Sequence, residues 1–412
     1  MFEEEKEELV KNIKRSVAKK IDIRNEINDD EIRDMITNVV FSLSRNLFLS
    51  LGEKRELVDK VFNSMRRLDV LQPFIDDKSI TEIMVNGSKD IFIEKEGNIS
   101  RIDIRFENTE KLEDVIQTIV SKVNRVVNEF SPIVDARLSD GSRVNVVLPP
   151  IAMNGPILTI RKFPEKPMTI KQLINKGSIS KQASQVLERM VKAKYNMFIS
   201  GGTGSGKTTF LNALSNYIPK DERIITIEDS AELQILGVDN IVKLETRNAN
   251  MEGRGEITIK DLIKTSLRMR PERIVVGEVR GAEAIDMLQA MNTGHDGSLS
   301  TGHANSAADM LSRLETMVLI SSTFPLEAIR KQIAQAIDII IHLSRLRDKT
   351  RKVMEITEVV GYKNGEIILN PLFVFEEEME RTEGKVAGSL RRTKNNMTHI
   401  DKFKKAGIDW IF

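Results

Sequence analysis

Hydrophobic positions recur at steps of three and four through the first 70 residues, which predicts three short amphipathic helices. Asp29 and Asp30 can cap the second helix, and Gly52 interrupts the pattern before the third. The three repeats are Leu9, Val10, Ile13, Val17 and Ile21; Ile32, Met35, Ile36, Val39, Val40 and Leu43; and Leu57, Val58, Val61, Phe62, Met65 and Leu68. We therefore expect a helical bundle over residues 1–70, which is either a packing module or a docking head for a partner.

The hydrophobic pattern changes to a period of two after residue 70, which predicts β-strands. Asn86-Gly87 is a turn signal between strands, and a helix-like repeat covers residues 110–128. The strand-like segments are Thr81–Val85, Ile91–Ile93, Ile102–Ile104, Arg143–Leu148 and Ile157–Arg161. These features predict a small α+β domain over residues 71–164, and Phe163-Pro164-Glu165-Lys166-Pro167 has the composition of a linker after it.

Strand-like and helix-like segments alternate from residue 168 to about residue 375. This alternation is typical of an α/β domain, in which a mostly parallel sheet carries helices on both faces. The last 37 residues are less regular. We therefore assign residues 165–412 to one α/β domain that ends in a C-terminal tail.

The composition narrows the classes of function. Hydrophobic residues make up 40% and charged residues 30% of the 412, which is typical of a globular protein. The net charge of +1 argues against a protein that coats nucleic acid. Because there is no cysteine, disulfides, thiol catalysis and cysteine-ligated metals are excluded. No apolar run reaches the roughly 18–20 residues of a membrane span, and the charged N-terminal string has no signal core. We therefore expect a cytoplasmic protein.

A glycine-rich string gives the strongest chemical signal. It reads Gly201-Gly202-Thr203-Gly204-Ser205-Gly206-Lys207-Thr208 and matches the phosphate-binding pattern G-x-x-x-x-G-K-[ST] in full. A strand-like segment precedes it and a helix-like segment follows it, as phosphate binding requires. The alternative is a glycine-rich turn that binds nothing. The expected nucleotide-binding residues are Gly202, Thr203, Gly204, Ser205, Gly206, Lys207, Thr208 and Thr209.

Each part of this loop has a physical role toward a nucleoside triphosphate. Glycines let backbone N–H groups approach phosphate oxygens, and the helix N-terminus adds its positive dipole end. Lys207 places a charge between the β- and γ-phosphates, and the hydroxyl of Thr208 is a ligand for Mg²⁺.

Acidic residues end two strand-like segments. Ile274–Gly277 leads into Glu278, and glycine stands where P-loop enzymes usually have the Walker B aspartate. Glu278 is the candidate that polarises the attacking water, and its alternative role is to cap the next helix. Glu228 ends the other strand, so it is expected at the same sheet edge, where it is a candidate for the water or the Mg²⁺ shell. The alternative is that Glu228 and Asp229 cap a helix.

Two of the four histidines, His295 and His303, lie in a polar, glycine-rich segment that leads into a helix with Ser306 as its cap. Imidazole both donates and accepts hydrogen bonds, so such a segment can sense a γ-phosphate. A metal site and an ordinary polar loop are the alternatives.

Taken together, the motifs resemble those of the secretion ATPase superfamily that drives type II and type IV secretion machines. The matching strings are GGTGSGKTT, IEDSAELQI, RPERIVVGEVRGAEA and GHDGSLSTGHANSAADMLSRLETM, in the order of the Walker A, Asp-box, Walker B and His-box elements. Upstream strings such as IVDARLSDGSRVNVVLPP look most like the CpaF-type branch, the tight-adherence pilus motor ATPases. A glycine at position 277 is normal in this superfamily.

The resemblance implies an architecture: a RecA-like P-loop ATPase domain behind a PAS-like α+β domain and a helical bundle, assembled as a homo-hexameric ring. It also implies ATP and Mg²⁺ as cofactors and a nucleotide held between domains. Arg137, Arg143 and Arg161 lie in strings that match the upstream domain of the superfamily. We expect one or two of them to reach the γ-phosphate, with a surface salt bridge as the alternative for each.

The function that the resemblance implies is an ATP-driven motor that assembles, and in some systems retracts, a tight-adherence pilus. It would act through an inner-membrane platform protein at the inner face of the cell membrane. The alternatives are a type IV secretion or archaeal filament ATPase, a nucleotide-gated scaffold with little turnover, and a DNA translocase. The balanced charge weakens the last alternative.

Overall fold

The computed structural model describes residues 3–21, 27–44, 47, 49–95, 97–123, 125–163, 166–249, 253–378 and 386–410. The chain divides into two compact units, Met1–Glu165 and Lys166–Phe412. The break falls inside the predicted linker, of which Pro164 and Glu165 lie outside the described residues. Each unit is described by itself below.

The first unit begins with helices and continues with an antiparallel sheet. A 3₁₀ turn at Asp69–Leu71 separates the two parts. The elements are α1 (Glu3–Ala18), α2 (Asp29–Leu43), α3 (Leu51–Arg66), α4 (Gln72–Asp76), β1 (Ile80–Asn86), β2 (Asp90–Lys95), β3 (Asn98–Ile102), α5 (Thr109–Ser121), β4 (Ile133–Arg137), β5 (Arg143–Val147) and β6 (Ile157–Arg161).

Capping residues fix where the helices of the bundle begin. The Asn28 side chain accepts the N–H of Glu31, whose carboxylate accepts the N–H of Asn28 in return, so Asn28 caps α2. Ser50 and Glu53 form the same reciprocal pair at the start of α3. Most of the apolar positions predicted from sequence pack into one buried cluster that includes residues of all three helices. Two predicted positions do not: Leu43 is exposed, and Leu68 packs in the cluster of the following sheet.

The antiparallel sheet of the first unit, in its described part, has the strand order β3-β2-β1-β6-β5-β4. One face packs on α5, with Ile83, Val144 and Ile160 among its buried residues. Because side chains alternate between faces, the residues next to these in sequence lie on the opposite face. In the strand register, Arg137 of β4 lies opposite Arg143 of β5, and Arg143 lies opposite Arg161 of β6. The three arginines therefore lie side by side on the face that points away from the core.

The second unit has strands and helices in alternation, followed by long antiparallel strands. Its elements are α6 (Ile170–Asn175), α7 (Lys181–Lys192), β7 (Met197–Gly201), α8 (Lys207–Ser215), β8 (Ile224–Glu228), β9 (Ile241–Glu245), α9 (Ile259–Ser266), β10 (Arg273–Val276), α10 (Ala284–Asn292), β11 (Leu299–Gly302), α11 (Ala307–Ser321), α12 (Leu326–Ala336), β12 (Ile339–Arg345), β13 (Arg351–Lys363), β14 (Glu366–Glu377), β15 (Gly388–Arg392) and α13 (Asp401–Ala406).

The sheet of the second unit, in its described part, has the order β15-β14-β13-β12-β7-β11-β10-β8-β9. The strands from β12 to β9 in this order run parallel, and β13 to β15 extend the sheet antiparallel. Alternate residues of β7 enter two different buried clusters. Met197 and Ile199 pack with α7 and α8, whereas Phe198 packs with α10 and α11. The predicted α/β fold with helices on both faces is confirmed.

Several local predictions were wrong. Asn28, not Asp29 or Asp30, caps α2, and Gly52 lies in the first turn of α3, where backbone N–H groups have no helical partner to lose. Helix α5 ends at Ser121 rather than near residue 128, because the N–H groups of Val123 and Arg125 both turn back to the carbonyl of Val120. Strand β3 covers Asn98–Ile102 instead of 102–104.

The C-terminal tail was predicted to be less regular than the rest of its domain, and it contributes to the second unit's core. Strand β15 pairs with β14, and Phe403 of α13 is fully buried against Tyr195 and Trp410. The final residues 411 and 412 lie outside the described residues. Among the helices that the structure describes, none is long and apolar enough to cross a membrane.

Candidate nucleotide-binding site

The glycine-rich string forms the turn between β7 and α8, as predicted. Gly201 ends the strand, and a side chain there would clash with the carbonyl oxygen of Leu343. Gly206 is the N-cap of α8 with φ of 93°, a conformation that L side chains rarely adopt. Residues 202–204 are exposed, so the turn presents its backbone to solvent at the N-terminus of a helix. This geometry fits an anionic phosphate group.

The ammonium of Lys207 lies at the mouth of this turn. Its Nζ donates to the carbonyls of Gly201 at 3.1 Å and Gly202 at 3.2 Å. The side chain reaches back across the loop, and the residue is only 7% exposed. A cation held at this place is available to phosphate oxygens that enter the turn.

His303 connects Lys207 to Glu278. Its Nδ1 lies 3.3 Å from Nζ of Lys207, and its Nε2 lies 2.8 Å from Oε1 of Glu278. Burial and, after it, the charge of Lys207 lower the pKa of His303 below its usual 6.5. The imidazole is therefore neutral at pH 7, and since Lys207 only donates, the proton belongs on Nε2. The contact of Nε2 with Oε1 of Glu278 is close but is not aligned as a hydrogen bond.

Glu278 lies just after β10 at the carboxyl edge of the sheet, where the sequence placed it. Its Oε2 accepts a hydrogen bond from Nη2 of Arg280 at 2.7 Å. The residue does not cap α10, because that helix begins at Ala284 without a side-chain cap. The helix-capping alternative for Glu278 is therefore wrong.

Glu228 lies beside Gly277, in the space that a side chain at position 277 would need. A Cβ on Gly277 would lie 2.9 Å from Cγ of Glu228. Glu228 is 3% exposed, and its Oε2 accepts the N–H groups of Glu232 at 2.8 Å and Leu233 at 3.0 Å. The departure at Gly277 thus has a steric reason: the Asp-box glutamate fills the place of the missing Walker B side chain. The chain after Asp229 forms no helix up to β9, so the helix-capping alternative for this acid pair is wrong.

The residues present fit Mg²⁺ held mainly through nucleotide phosphates. Thr208 lies in the first turn of α8, directly after the phosphate lysine. Within the described residues, no group of three His, Asp or Glu side chains could hold a metal ion by itself. Magnesium typically takes one or two protein ligands together with phosphates and water, which suits a threonine hydroxyl. The assignment of Thr208 and Glu228 to the metal shell stays a prediction.

The structure does not bring His295 to this site. His303 follows the C-terminal end of β11, whereas His295 precedes the N-terminal end of that strand, which pairs in parallel with β7. The two ends of a four-residue strand are about 10 Å apart, and the phosphate loop is at the His303 end. Nδ1 of His295 lies 3.2 Å from the carbonyl oxygen of Ala290 instead. Arg137, Arg143 and Arg161 lie in the first unit.

Two arginines near the site were missed by sequence reasoning. Arg280 lies only two residues after Glu278, so its closeness in sequence to the expected catalytic glutamate could have identified it. Arg351 begins β13, and its Nε donates to the carbonyl of Gly204 at 2.8 Å across a separation of 147 residues. No motif marks Arg351, and its position results from the sheet register that places Leu343 of β12 beside Gly201.

The strand–turn–helix geometry, with a lysine at the turn and acids at the same sheet edge, defines the class of P-loop nucleotide-binding α/β proteins. A family model described as "Type II/IV secretion system protein" matches residues 65–392. The chain belongs to this family.

Two relatives and one solved structure are similar to this chain over most of their own length. It is 34% identical over 293 residues to a putative conjugal transfer protein of Mycobacterium tuberculosis, covering 70% of this chain and 83% of that protein. It is 31% identical over 303 residues to the type IV secretion system protein VirB11 of Brucella suis, covering 67% and 84%. A crystal structure of the pilus retraction motor PilT with ADP gives a TM-score of 0.52 at 19% identity, covering 82% and 87%, which shows the fold alone. The tight-adherence branch stays a prediction.

Proposed function

We propose that this chain is an ATP-hydrolysing motor subunit of a secretion or pilus-assembly machine. The observation that carries the proposal is the series of contacts from Lys207 through His303 to Glu278 at the mouth of the glycine-rich turn. A phosphate-binding cation and a carboxylate are thereby joined through one neutral imidazole. A carboxylate near the phosphate lysine can orient an attacking water, which supports hydrolysis over nucleotide binding alone.

Each residue has a separate task in this mechanism. The N–H groups of the turn and Lys207 bind the β- and γ-phosphates, and Thr208 with Glu228 would hold Mg²⁺, which neutralises phosphate charge. Glu278 accepts a proton from the attacking water while the oxygen of that water forms a bond to the γ-phosphorus. The bond from that phosphorus to the β–γ bridging oxygen breaks, leaving ADP and inorganic phosphate. His303 contacts both Lys207 and Glu278, so a shift of Lys207 on phosphate binding would also move Glu278.

The arginine row of the first unit, Arg137, Arg143 and Arg161, is proposed to complete the site in the working assembly. Strand pairing places these three arginines opposite one another on neighbouring strands, with Glu82 opposite Arg161. We propose that one or two of these residues reach the γ-phosphate.

The machine that this motor serves is proposed from the resemblance and from the relatives. The upstream strings favour a tight-adherence pilus, a homo-hexameric ring and an inner-membrane platform protein as partner, with the chain at the cytoplasmic face. The relatives named as conjugal transfer protein and VirB11 favour type IV secretion as the second candidate. Co-purification of the full chain with a pilus platform protein or with a type IV secretion channel component distinguishes the two.

The substitution Glu278→Gln tests the proposed chemistry. It keeps the size of the side chain and removes the proton acceptor, so turnover should fall by about 10²–10⁴-fold while ATP affinity is retained. Phosphate release and nucleotide binding are measured on the same preparations. If the wild-type chain binds ATP but releases phosphate no faster than the variant, the nucleotide-gated scaffold is the better account.

A further inference from the structure

Hydrogen bonds from its backbone N–H groups hold the loop that follows Glu278 in place. The N–H of Val279 donates to the carbonyl of Thr301 at 2.8 Å. Oε1 of Glu283 accepts the N–H groups of Arg280 at 2.6 Å and of Gly281 at 2.9 Å. The backbone of Arg280 is therefore fixed relative to β10 and β11, and its side chain starts from a defined place.

From this place the guanidinium of Arg280 bridges two acids from different motifs. Nη2 donates to Oε2 of Glu278 at 2.7 Å, and Nη1 lies 3.5 Å from Oδ2 of Asp229. Glu278 follows β10, whereas Asp229 follows β8, the neighbouring parallel strand. Arg280 thus ties the ends of two strands together at the edge of the sheet that carries the phosphate loop.

The bridge leaves the two oxygens of Glu278 in different surroundings. Oε2 accepts a hydrogen bond from Arg280, whereas Oε1 is buried 2.8 Å from Nε2 of His303 and is free of a hydrogen bond from the described residues. Since the other nitrogen of that ring lies 3.3 Å from Nζ of Lys207, Oε1 is the oxygen on the side of the phosphate lysine. A carboxylate that must accept a proton from one particular water gains from such a fixed orientation, because a misplacement of about 1 Å can lower a rate by about 10²-fold.

We infer that Arg280 is a positioning residue for ATP hydrolysis: it holds Oε2 of Glu278 and anchors it to Asp229, so that Oε1 is the oxygen that accepts the water's proton. This inference rests on the proposed function of Glu278. Arg280 acts through Glu278 and needs no contact with the nucleotide. Its side chain is 60% exposed, so its removal should leave the fold intact.

The substitutions Arg280→Gln and Arg280→Lys in the full chain test this role by steady-state phosphate release. We expect Arg280→Gln to lower kcat by about 10-fold or more, while KM for ATP stays within about twofold, since only the orientation of Glu278 changes. Lysine keeps the charge and can contact Glu278 but cannot bridge two acids, so Arg280→Lys should recover part of kcat. A merely structural arginine would show neither the split between kcat and KM nor the partial rescue.

A matched control is Arg391→Gln. Arg391 is an exposed arginine of β15 that contacts Glu376 at 3.1 Å, and we expect wild-type kcat from this variant. If Arg280→Gln also keeps wild-type kcat, the inference is overturned.

The double variant Glu278→Gln/Arg280→Gln separates this inference from the proposed function. If Arg280 acts through Glu278, the double variant is no slower than Glu278→Gln alone in long single-turnover incubations. A further loss equal to that of the single Arg280→Gln variant would show an independent role and contradict the inference. If Glu278→Gln itself turns over normally, the assignment of Glu278 is wrong and the inference falls with it. If Glu278→Gln is inactive but Arg280→Gln is normal, only the inference fails.

Discussion

At the scale of single residues, the site depends on the close approach of the Glu228 side chain to the backbone at Gly277. Glu228 ends β8 and Gly277 directly follows β10, the neighbouring strand, and the carboxylate of Glu228 is held by two backbone N–H groups. Glu228 cannot move aside without giving up those bonds inside a buried region. The glycine at 277 is therefore a requirement of the Glu228 side chain rather than a loss of function.

Replacing Gly277 by alanine should expose this requirement. The added Cβ would lie 2.9 Å from Cγ of Glu228, so the free energy of unfolding should fall by about 1–3 kcal/mol, with turnover reduced as well. Urea unfolding and phosphate release measure the two effects.

The control is Gly52→Ala in α3, where the nearest atom to the new Cβ is Oγ of Ser50 at 3.8 Å. We expect that control to be as stable as wild type or slightly more so, by up to about 1 kcal/mol. A Gly277→Ala variant with wild-type stability would contradict the steric account.

At the scale of elements, strand register decides which side chains become neighbours. Arg137, Arg143 and Arg161 are separated in sequence, yet the pairing of β4, β5 and β6 puts them at one level of the sheet. The sequence strings suggested each arginine singly. Their arrangement as a row could not be predicted, because β4 has no clear alternating signal and was not recognised as a strand.

Substituting each arginine of the row by glutamine, and all three together, tests the proposed contact with the γ-phosphate. An arginine that stabilises the transferring phosphoryl group is worth about 10³–10⁵ in rate in well-studied cases. We therefore expect one or two single variants to lose at least about 10²-fold in kcat, with the fold unchanged because the row is on the face away from the core. Circular dichroism checks the fold.

Arg101→Gln is the control, since Arg101 lies in β3 of the same sheet and is 63% exposed beside Asp90. Normal turnover by the triple variant would rule out the role.

At the scale of the whole molecule, hydrophobic periodicity predicted the order of architectures along the chain: helices, then a small α+β domain, then an α/β unit. Local motifs also predicted the phosphate loop, Glu278 and His303. Sequence reasoning failed where distant segments meet. Phe403 is buried against Tyr195, about half the chain away, and Arg351 contacts Gly204 only because β12 runs beside β7. His295 was grouped with His303 because the two are close in sequence, although a strand separates them in space.

The central claim is that a nucleoside triphosphate binds against Lys207 and is hydrolysed there. Its most direct test is magnesium-dependent phosphate release from ATP by the full chain and by Lys207→Ala, measured at equal protein concentration. The account predicts release that requires Mg²⁺ and is nearly abolished in the variant, because the cation at the mouth of the turn is gone. Phosphate release that is absent from the wild-type chain, or equally fast in both proteins, would contradict it.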